Sequence, residues 1–413
     1  MAAANTKQAQ FLVQGCSNAG LDISQKLMPA WKTLAVIIRT TQTMKKIIGL
    51  TLLSFVLLLC SQCNRTDIIL SPVDNAPDSS VFAMAVYNNE LYVGGCFDSV
   101  GNIKSKYIAK WDGEKWTSVG KGLKQGYRGV EALVVYKGEL YAAGDFEIIN
   151  DSTEVEHIAK WNGKEWLPVG NGKADGTHPY VSALCVYKNE LYAASLFDSI
   201  GGIRAKNIAK WNGKKWDSVG NGVNYTIISL AVYKDELYAG GICNKEDGHS
   251  VKWNGSQWSY LTRDTTDFTE VQSYTVYKND LIIGGTFGRY TGGSGGRTGF
   301  NPFNHIAKYN GKSYSSFDEG INDNEASIAS MEVYNNELFI GGKFDFPNGQ
   351  KSNTIIKWNG ENWQKVATDT SGYVSCFVTY NDDFYAGGSF RRLNGQPIKF
   401  LTKLTIAKEN NNR

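Results

Sequence analysis

Three of the four histidines, His157, His249 and His305, occupy one position of a repeating pattern, each four residues before a Trp or Tyr. Other copies have Tyr107, Asn207, Thr354 and Phe400 there. A metal centre needs donors converging within about 2 Å of one ion. One histidine per repeat does not converge, so no metal site is expected, and the mostly polar types predict a hydrogen-bonding slot. Cys96, Cys185, Cys243 and Cys376 show no C-x-x-C or zinc spacing and read as small buried hydrophobes. If the chain is exported, Cys185 and Cys243 are the pair to test for a disulfide. Asp98, Glu147, Asp198 and Asp345 would be the acids of a carbohydrate-acting enzyme, but each lies eight residues after another carboxylate. That shared spacing favours a turn role. The run TGGSGG (291–296) lacks the lysine and the helix a phosphate loop requires. No catalytic residue and no cofactor are assigned.

Residues that depart from the pattern are better candidates for binding. The stretch 287–305 inserts a Gly-rich loop bearing Arg289, Tyr290, Arg297, Phe300 and Phe303. Long loops on rigid scaffolds often carry function. Tyr127, Arg128, His178, Tyr180 and Tyr225 fall in segments joining one repeat to the next. Aromatic and arginine side chains on one rim could stack on a sugar or grip a peptide carboxylate.

The elements that must position these residues repeat along the chain. A tyrosine ends an apolar run at Tyr87, Tyr136, Tyr187, Tyr233, Tyr277, Tyr334 and Tyr380, at intervals of 44 to 57 residues, a period typical of stacked repeats. Each unit offers VFAMAVY-like and ELYVGG-like strands around a two-residue polar turn. A variable loop and an IAKW-like strand follow, then an Asp-Gly or Asn-Gly pair, which tolerates the positive φ of a two-residue hairpin turn, and a Trp-containing strand. The pieces are too short for helices and apolar on nearly every inner position, as in sheets covered on both faces. Trp111/Trp116, Trp161/Trp166, Trp211/Trp216, Trp253/Trp258 and Trp358/Trp363, with Tyr309/Tyr314, flank the second turn and are expected to pack between units. A carboxylate opening each second strand and a lysine near the end of each third, Glu90 with Lys110 through Asp383 with Lys403, predict seven cross-strand ion pairs. The seventh unit lacks its Trp strand, and residues 67–72 stand where a fourth strand should precede the first unit.

The expected fold is therefore all-β: a seven-bladed β-propeller of four-stranded antiparallel blades, closed by an N-terminal strand completing the last blade. ELYVGG followed by YIAKWDGEKW resembles the kelch type of propeller repeat, and more closely bacterial surface repeats of the "LYAGG, IAKWNG, W" kind, over residues 81–404. The resemblance is specific for fold. It is weak for activity, because kelch-like propellers include the central domain of galactose oxidases, sugar-acting enzymes and plain binding scaffolds.

Residues 44–63, MKKIIGLTLLSFVLLLCSQC, have the basic start and short apolar run of a secretory signal. The ending resembles a lipoprotein signal, with Cys63 or Cys60 as the lipidated residue. Residues 1–43 read as a non-structural extension and 64–413 as one propeller. The net charge is +3, but the first 62 residues hold six of the 43 basic residues and one of the 40 acidic. The remainder, with 37 basic against 39 acidic, offers no electrostatic attraction for nucleic acid. The expectation is an exported or surface-anchored, non-catalytic binding module for a glycan or protein, touching membrane only through its signal or lipid. The alternatives are a carbohydrate-acting enzyme and a purely structural surface protein.

Overall fold

The computed structural model describes residues 68–155, 157–170, 180–242, 250–261, 270–287, 303–317, 321, 326–344, 353–368 and 372–406. The extension at 1–43 and the signal at 44–63, with Cys60 and Cys63, lie outside them. Ile68–Ala407 is compact by itself. The described residues form strands and turns without helix, and none of their segments is a helix able to cross a membrane.

Each sequence repeat folds as an antiparallel meander. In the first, Val81–Tyr87, Glu90–Gly95, Ile108–Trp111 and Trp116–Ser118 pair in chain order. The second to sixth repeats keep that order, and the fourth and fifth sheets are joined by one bridge, Ile242 with Glu270. In the seventh, Val374–Tyr380, Asp383–Gly388 and Leu401–Ile406 are followed by Ile68–Pro72 as the fourth strand. Its register runs from Ile68 with Ile406 to Pro72 with Thr402. The Thr402 hydroxyl also donates to the Ser71 carbonyl at 3.0 Å.

The two hairpin turns differ from each other. Between first and second strands both turn residues have positive φ, as in Asn88 (49°) and Asn89 (59°) or Lys137 (50°) and Gly138 (77°), the backbone of a tight hairpin. The Asp-Gly and Asn-Gly turns were expected to be of this kind, but only their glycines are left-handed. Each is a four-residue connection in which the Asx carboxyl or amide oxygen accepts two following backbone N–H groups, as Asn162 does from Lys164 and Glu165. The variable loops contain short hairpins absent from the sequence reading, such as Ser99–Val100 with Ile103–Lys104.

Packing between units is repetitive. The anchor tyrosine hydroxyl donates to a carbonyl in the next unit's first turn: Tyr87 to Gly138, Tyr136 to Asn189, Tyr187 to Asp235. Tyr380 of the seventh unit does the same to Asn89 of the first, at 3.0 Å. The fourth-strand indole reaches back one unit, Trp166 Nε1 to the Val119 carbonyl and Trp216 Nε1 to that of Val169, both at 3.0 Å. Trp116 makes the matching bond to Asp74, just after the N-terminal strand. The first glycine of the second-strand pair is required by this packing: a Cβ on Gly94 would lie 2.4 Å from Val130 of the next unit, and one on Gly387 would lie 2.5 Å from Val81 of the first.

Six expected ion pairs form, with Lys110–Glu90 at 2.7 Å and Lys160–Glu139, Lys252–Glu236 and Lys357–Glu337 at 2.8 Å. Lys210–Glu190 and Lys403–Asp383 complete them. The seventh, Asp280 with Lys308, is not made: the Lys308 ammonium lies 5.1 Å over the Phe317 ring instead. The Trp pairs stack at 5.0 to 5.5 Å between centroids and Tyr309/Tyr314 at 4.8 Å. They belong to the buried clusters between units.

Candidate functional site

The segment joining the first unit to the second is shaped by Gly126 and Asp145. Gly126 has φ +137°, and a Cβ there would fall 1.4 Å from the Asp145 carbonyl oxygen, so the chain passes only as glycine. The Gly126 carbonyl accepts the Tyr107 hydroxyl. Asp145, at the end of its second strand, uses one carboxylate oxygen to accept the backbone N–H groups of Tyr127 (2.8 Å) and Arg128 (3.2 Å). The loop is thereby pinned while its side chains remain outside: Tyr127 is 97% exposed.

Arg128 turns toward the third unit. Its guanidinium lies 5.8 Å from the Tyr180 ring centroid, and its Nε sits 2.5 Å from Glu131 Oε1. Glu131 is largely buried; burial pushes its carboxyl above the ordinary value, Asp145 adds to that shift, and Arg128 opposes it. An exposed aromatic ring, a half-buried one, a guanidinium and two carboxylates thus share one rim. Such a surface supplies a stacking face for a sugar and donors and acceptors for its hydroxyls.

Glu131 escaped the sequence reading, although the repeats contain its signal. Every first strand bulges five residues before its anchor tyrosine, at Phe82, Glu131, Ser182, Ile228, Gln272, Ala329 and Ser375. A bulge re-aims a side chain and increases local twist. Two bulge residues bond to the following unit, the Ser182 hydroxyl donating to the Ile227 carbonyl and the Gln272 amide oxygen accepting from the Ser327 hydroxyl, while Glu131 forms an ion pair with Arg128 of its own unit, which faces Tyr180. Glu131 is the one carboxylate of the seven.

Other expected rim residues are placed differently. Tyr225 is buried and donates its hydroxyl to the Ala239 carbonyl at 3.0 Å, which corrects its assignment to the rim. Phe303 is half-buried, 6.0 Å from the Tyr314 ring and packed on an inner cluster, so it does not stand out as a free contact residue. Arg289, Tyr290, Arg297, Phe300 and His178 lie outside the described residues, as do His249, Cys243 and Asp345. The histidine position is a backbone device. Tyr107, His157, Asn207, His305 and Phe400 all have φ between 62° and 69°, and their carbonyls accept an N–H from the end of the second strand. The polar types fill a slot: Asn207 accepts from the Phe197 N–H and donates to the Val223 carbonyl, and His305 Nδ1 accepts from the Phe287 N–H. Burial lowers the pKa of His157. No group of three metal-ligating side chains occurs among the described residues.

Asp98, Glu147 and Asp198 sit at the bases of the small loop hairpins, where their carbonyls accept from Ser105, Val155 and Ala205. Cys185 is a free thiol, and burial pushes it to about 12.

No protein family matches the chain, and no curated protein is similar in sequence. Solved structures are similar in fold. YCF48 bound to D1 peptide superposes with a TM-score of 0.53 at 10% identity, over 84% of this chain and 97% of that one. The extracellular domain of the one-component system BT4673 from B. thetaiotaomicron gives 0.52 at 11% identity over 81% of this chain. The match spans 40% of the BT4673 domain's length. The fold is β-propeller-like. At this identity the likeness concerns fold alone.

Proposed function

We propose that this protein is an exported, closed seven-bladed propeller, of kelch-like repeat type, that binds a glycan through the rim carrying Tyr127, Arg128 and Tyr180, without catalysis. The observation that carries the reading is Tyr127: a tyrosine almost wholly in solvent, on a loop pinned by Asp145 and forced through Gly126. Pinning the backbone that presents the ring reduces the ordering cost of binding. Closure is supported by the seventh unit meeting the first through Tyr380 and Gly387, and by the N-terminal strand completing its sheet. Export rests on residues 44–63, with lipidation at Cys63 or Cys60.

A glycan is preferred to a peptide carboxylate because Arg128 is already paired with Glu131. The pair can accept and donate to hydroxyls but has little unneutralised charge for an anion. A protein ligand is the second reading; the YCF48 neighbour is itself recorded with a peptide. Arg289, Tyr290, Arg297, Phe300 and His178 are proposed to extend the same surface. The test is a glycan and peptide array probed with residues 64–413, repeated with Tyr127→Ala, Tyr180→Ala and the four-fold Arg289→Ala, Tyr290→Ala, Arg297→Ala, Phe300→Ala chain. Glycan binding lost in Tyr127→Ala supports the site. Binding indifferent to Tyr127 and Tyr180 removes it, and turnover of a bound glycan would replace the non-catalytic reading by the enzyme.

A further inference from the structure

The face opposite the rim is formed by the two kinds of hairpin turn, and its charge is unevenly distributed. In the second to fifth units the first turn begins with Lys137, Lys188, Lys234 and Lys278, all exposed. The second turns add Lys164, Lys214, Lys215 and Lys312, with Glu165 and Asp235 as the only acids in these eight turns. The sixth, seventh and first units carry no lysine in their first turns, and their described turns hold Asp112, Glu114, Glu361 and Asp382 against Lys115. Lys188 pairs with Asp235 at 3.1 Å and Lys215 with Asp217 at 2.9 Å, and the other six lysines leave a near-neutral protein with one basic arc.

That arc is ordered. The Lys137 ammonium lies 5.0 Å from its own Tyr136 ring and 2.8 Å from the Asn212 carbonyl of the next unit. Lys234 repeats this with Tyr233 (5.0 Å) and Asn310 (2.6 Å), and Lys188 and Lys278 stand over Tyr187 and Tyr277. Just inside the lysines, the residue before the anchor tyrosine is an exposed valine at Val135 (38%), Val232 (38%) and Val276 (44%), as it also is at Val86 (37%) of the first unit. Lone valines are unremarkable by themselves. Three of these four stand beside a first-turn lysine.

The chain also enters the fold on this face. Ile68 pairs with Ile406, the last residue of a third strand, the end that in the other units runs into the Asn-Gly turn. Cys63 is five residues upstream of Ile68, a reach of about 17 Å when extended. The apolar run at 47–59 lies directly before it. Whether that run is retained or replaced by a lipid on Cys63, the tether starts from the turn face.

We infer that the turn face of the second to fifth units docks on a membrane surface of anionic lipid headgroups, leaving the opposite rim directed away from the bilayer. Each lysine near such a surface contributes about five-fold in affinity. Valines in the same register add apolar contact at the headgroup boundary. The inference concerns the face opposite the proposed glycan site, so either can fail without the other.

The experiment is co-sedimentation of residues 64–413, which include every described strand, with vesicles of phosphatidylglycerol and phosphatidylcholine (1:1) or of phosphatidylcholine alone. Binding only to the anionic vesicles is expected, weakened by salt. The Lys164→Gln, Lys214→Gln, Lys312→Gln chain, altered at turn residues whose side chains make none of the hydrogen bonds or ion pairs described, should bind about 100-fold more weakly. A dye on Val232→Cys should shift on vesicle binding and one on Tyr127→Cys should not. Equal binding to neutral vesicles, unchanged binding of the triple variant, or a shift at Tyr127 instead overturns the inference. Binding to soluble polyglutamate but not to vesicles assigns the face to an acidic protein and overturns it too.

Discussion

Replacing Trp166 should be among the most costly single changes in the molecule. The side chain is fully buried between the first and second units, 5.5 Å from the Trp161 ring, in a cluster with Val119, Leu123 and Val130. Its indole also satisfies the Val119 carbonyl. Truncation of a buried aromatic costs about 3–5 kcal/mol, the residual cavity included. Orphaning a buried carbonyl falls in the range of about 1–3 kcal/mol. Trp166→Ala is therefore expected at the upper end, about 4–6 kcal/mol, against a total of about 5–15 kcal/mol for a folded domain. Trp166→Phe keeps most of the apolar volume and should cost about 1–3 kcal/mol, mainly through the lost bond. Trp258 makes the equivalent bond to Val219 at 2.9 Å but is only half-buried, so Trp258→Ala should cost less. Guanidinium unfolding midpoints at constant slope would measure all three. Costs below about 2 kcal/mol for Trp166→Ala, or equal costs at Trp166 and Trp258, would refute the assignment of these indoles as inter-unit staples.

Gly126→Ala should lower stability by more than about 1 kcal/mol and abolish rim binding, because no Cβ fits at that φ against Asp145; thermal melts and the glycan array would check it, and a fully stable, binding-competent variant would contradict it. Glu332 stands two residues before Tyr334, where the other units have Ala85, Val134, Cys185, Ala231, Thr275 and Val378, and burial raises its carboxyl pKa although the Val333 N–H opposes the shift. A carboxyl whose folded value exceeds its unfolded one stabilises the protein fully below the unfolded value, and the contribution is lost as pH rises through the folded one. Glu332→Gln should accordingly raise the melting temperature at pH 7 and lose that gain toward pH 4, whereas an equal shift at both pH values would argue against it.

The repeat made much of the fold legible before any coordinates. Tyrosine anchors, glycine pairs and tryptophan pairs recur because each answers the same inter-unit contact, so their spacing reports the strands directly. The first-turn backbone was also readable, from residues such as Asn88-Asn89. The second turn was misjudged because Asn-Gly serves both a left-handed pair and an Asx-capped loop, and only hydrogen-bond partners distinguish them. Tyr225 was misplaced for a related reason: an aromatic in a joining segment can fold inward when a carbonyl such as that of Ala239 awaits its hydroxyl. Glu131 and Asp145 are not evident from loop variation, because they depart from the repeat at a strand bulge and a strand end. Lys308 lost its expected carboxylate partner to the face of Phe317, a choice that sequence spacing does not encode.

The measurement that bears most directly on the whole account is a cross-link between the two ends of the fold. Ile69 lies opposite Thr405 in the register of the N-terminal strand with the seventh unit. Directly opposed residues of an antiparallel pair have Cα atoms about 4.5–5.5 Å apart, within reach of a disulfide. Ile69→Cys, Thr405→Cys in residues 64–413 should form that disulfide on mild oxidation, identified by the linked peptide in mass spectrometry, and should raise resistance to denaturant. Absence of the cross-link under conditions where both thiols react with a small reagent would contradict the closed ring, and with it the division into a binding rim and a membrane-facing side.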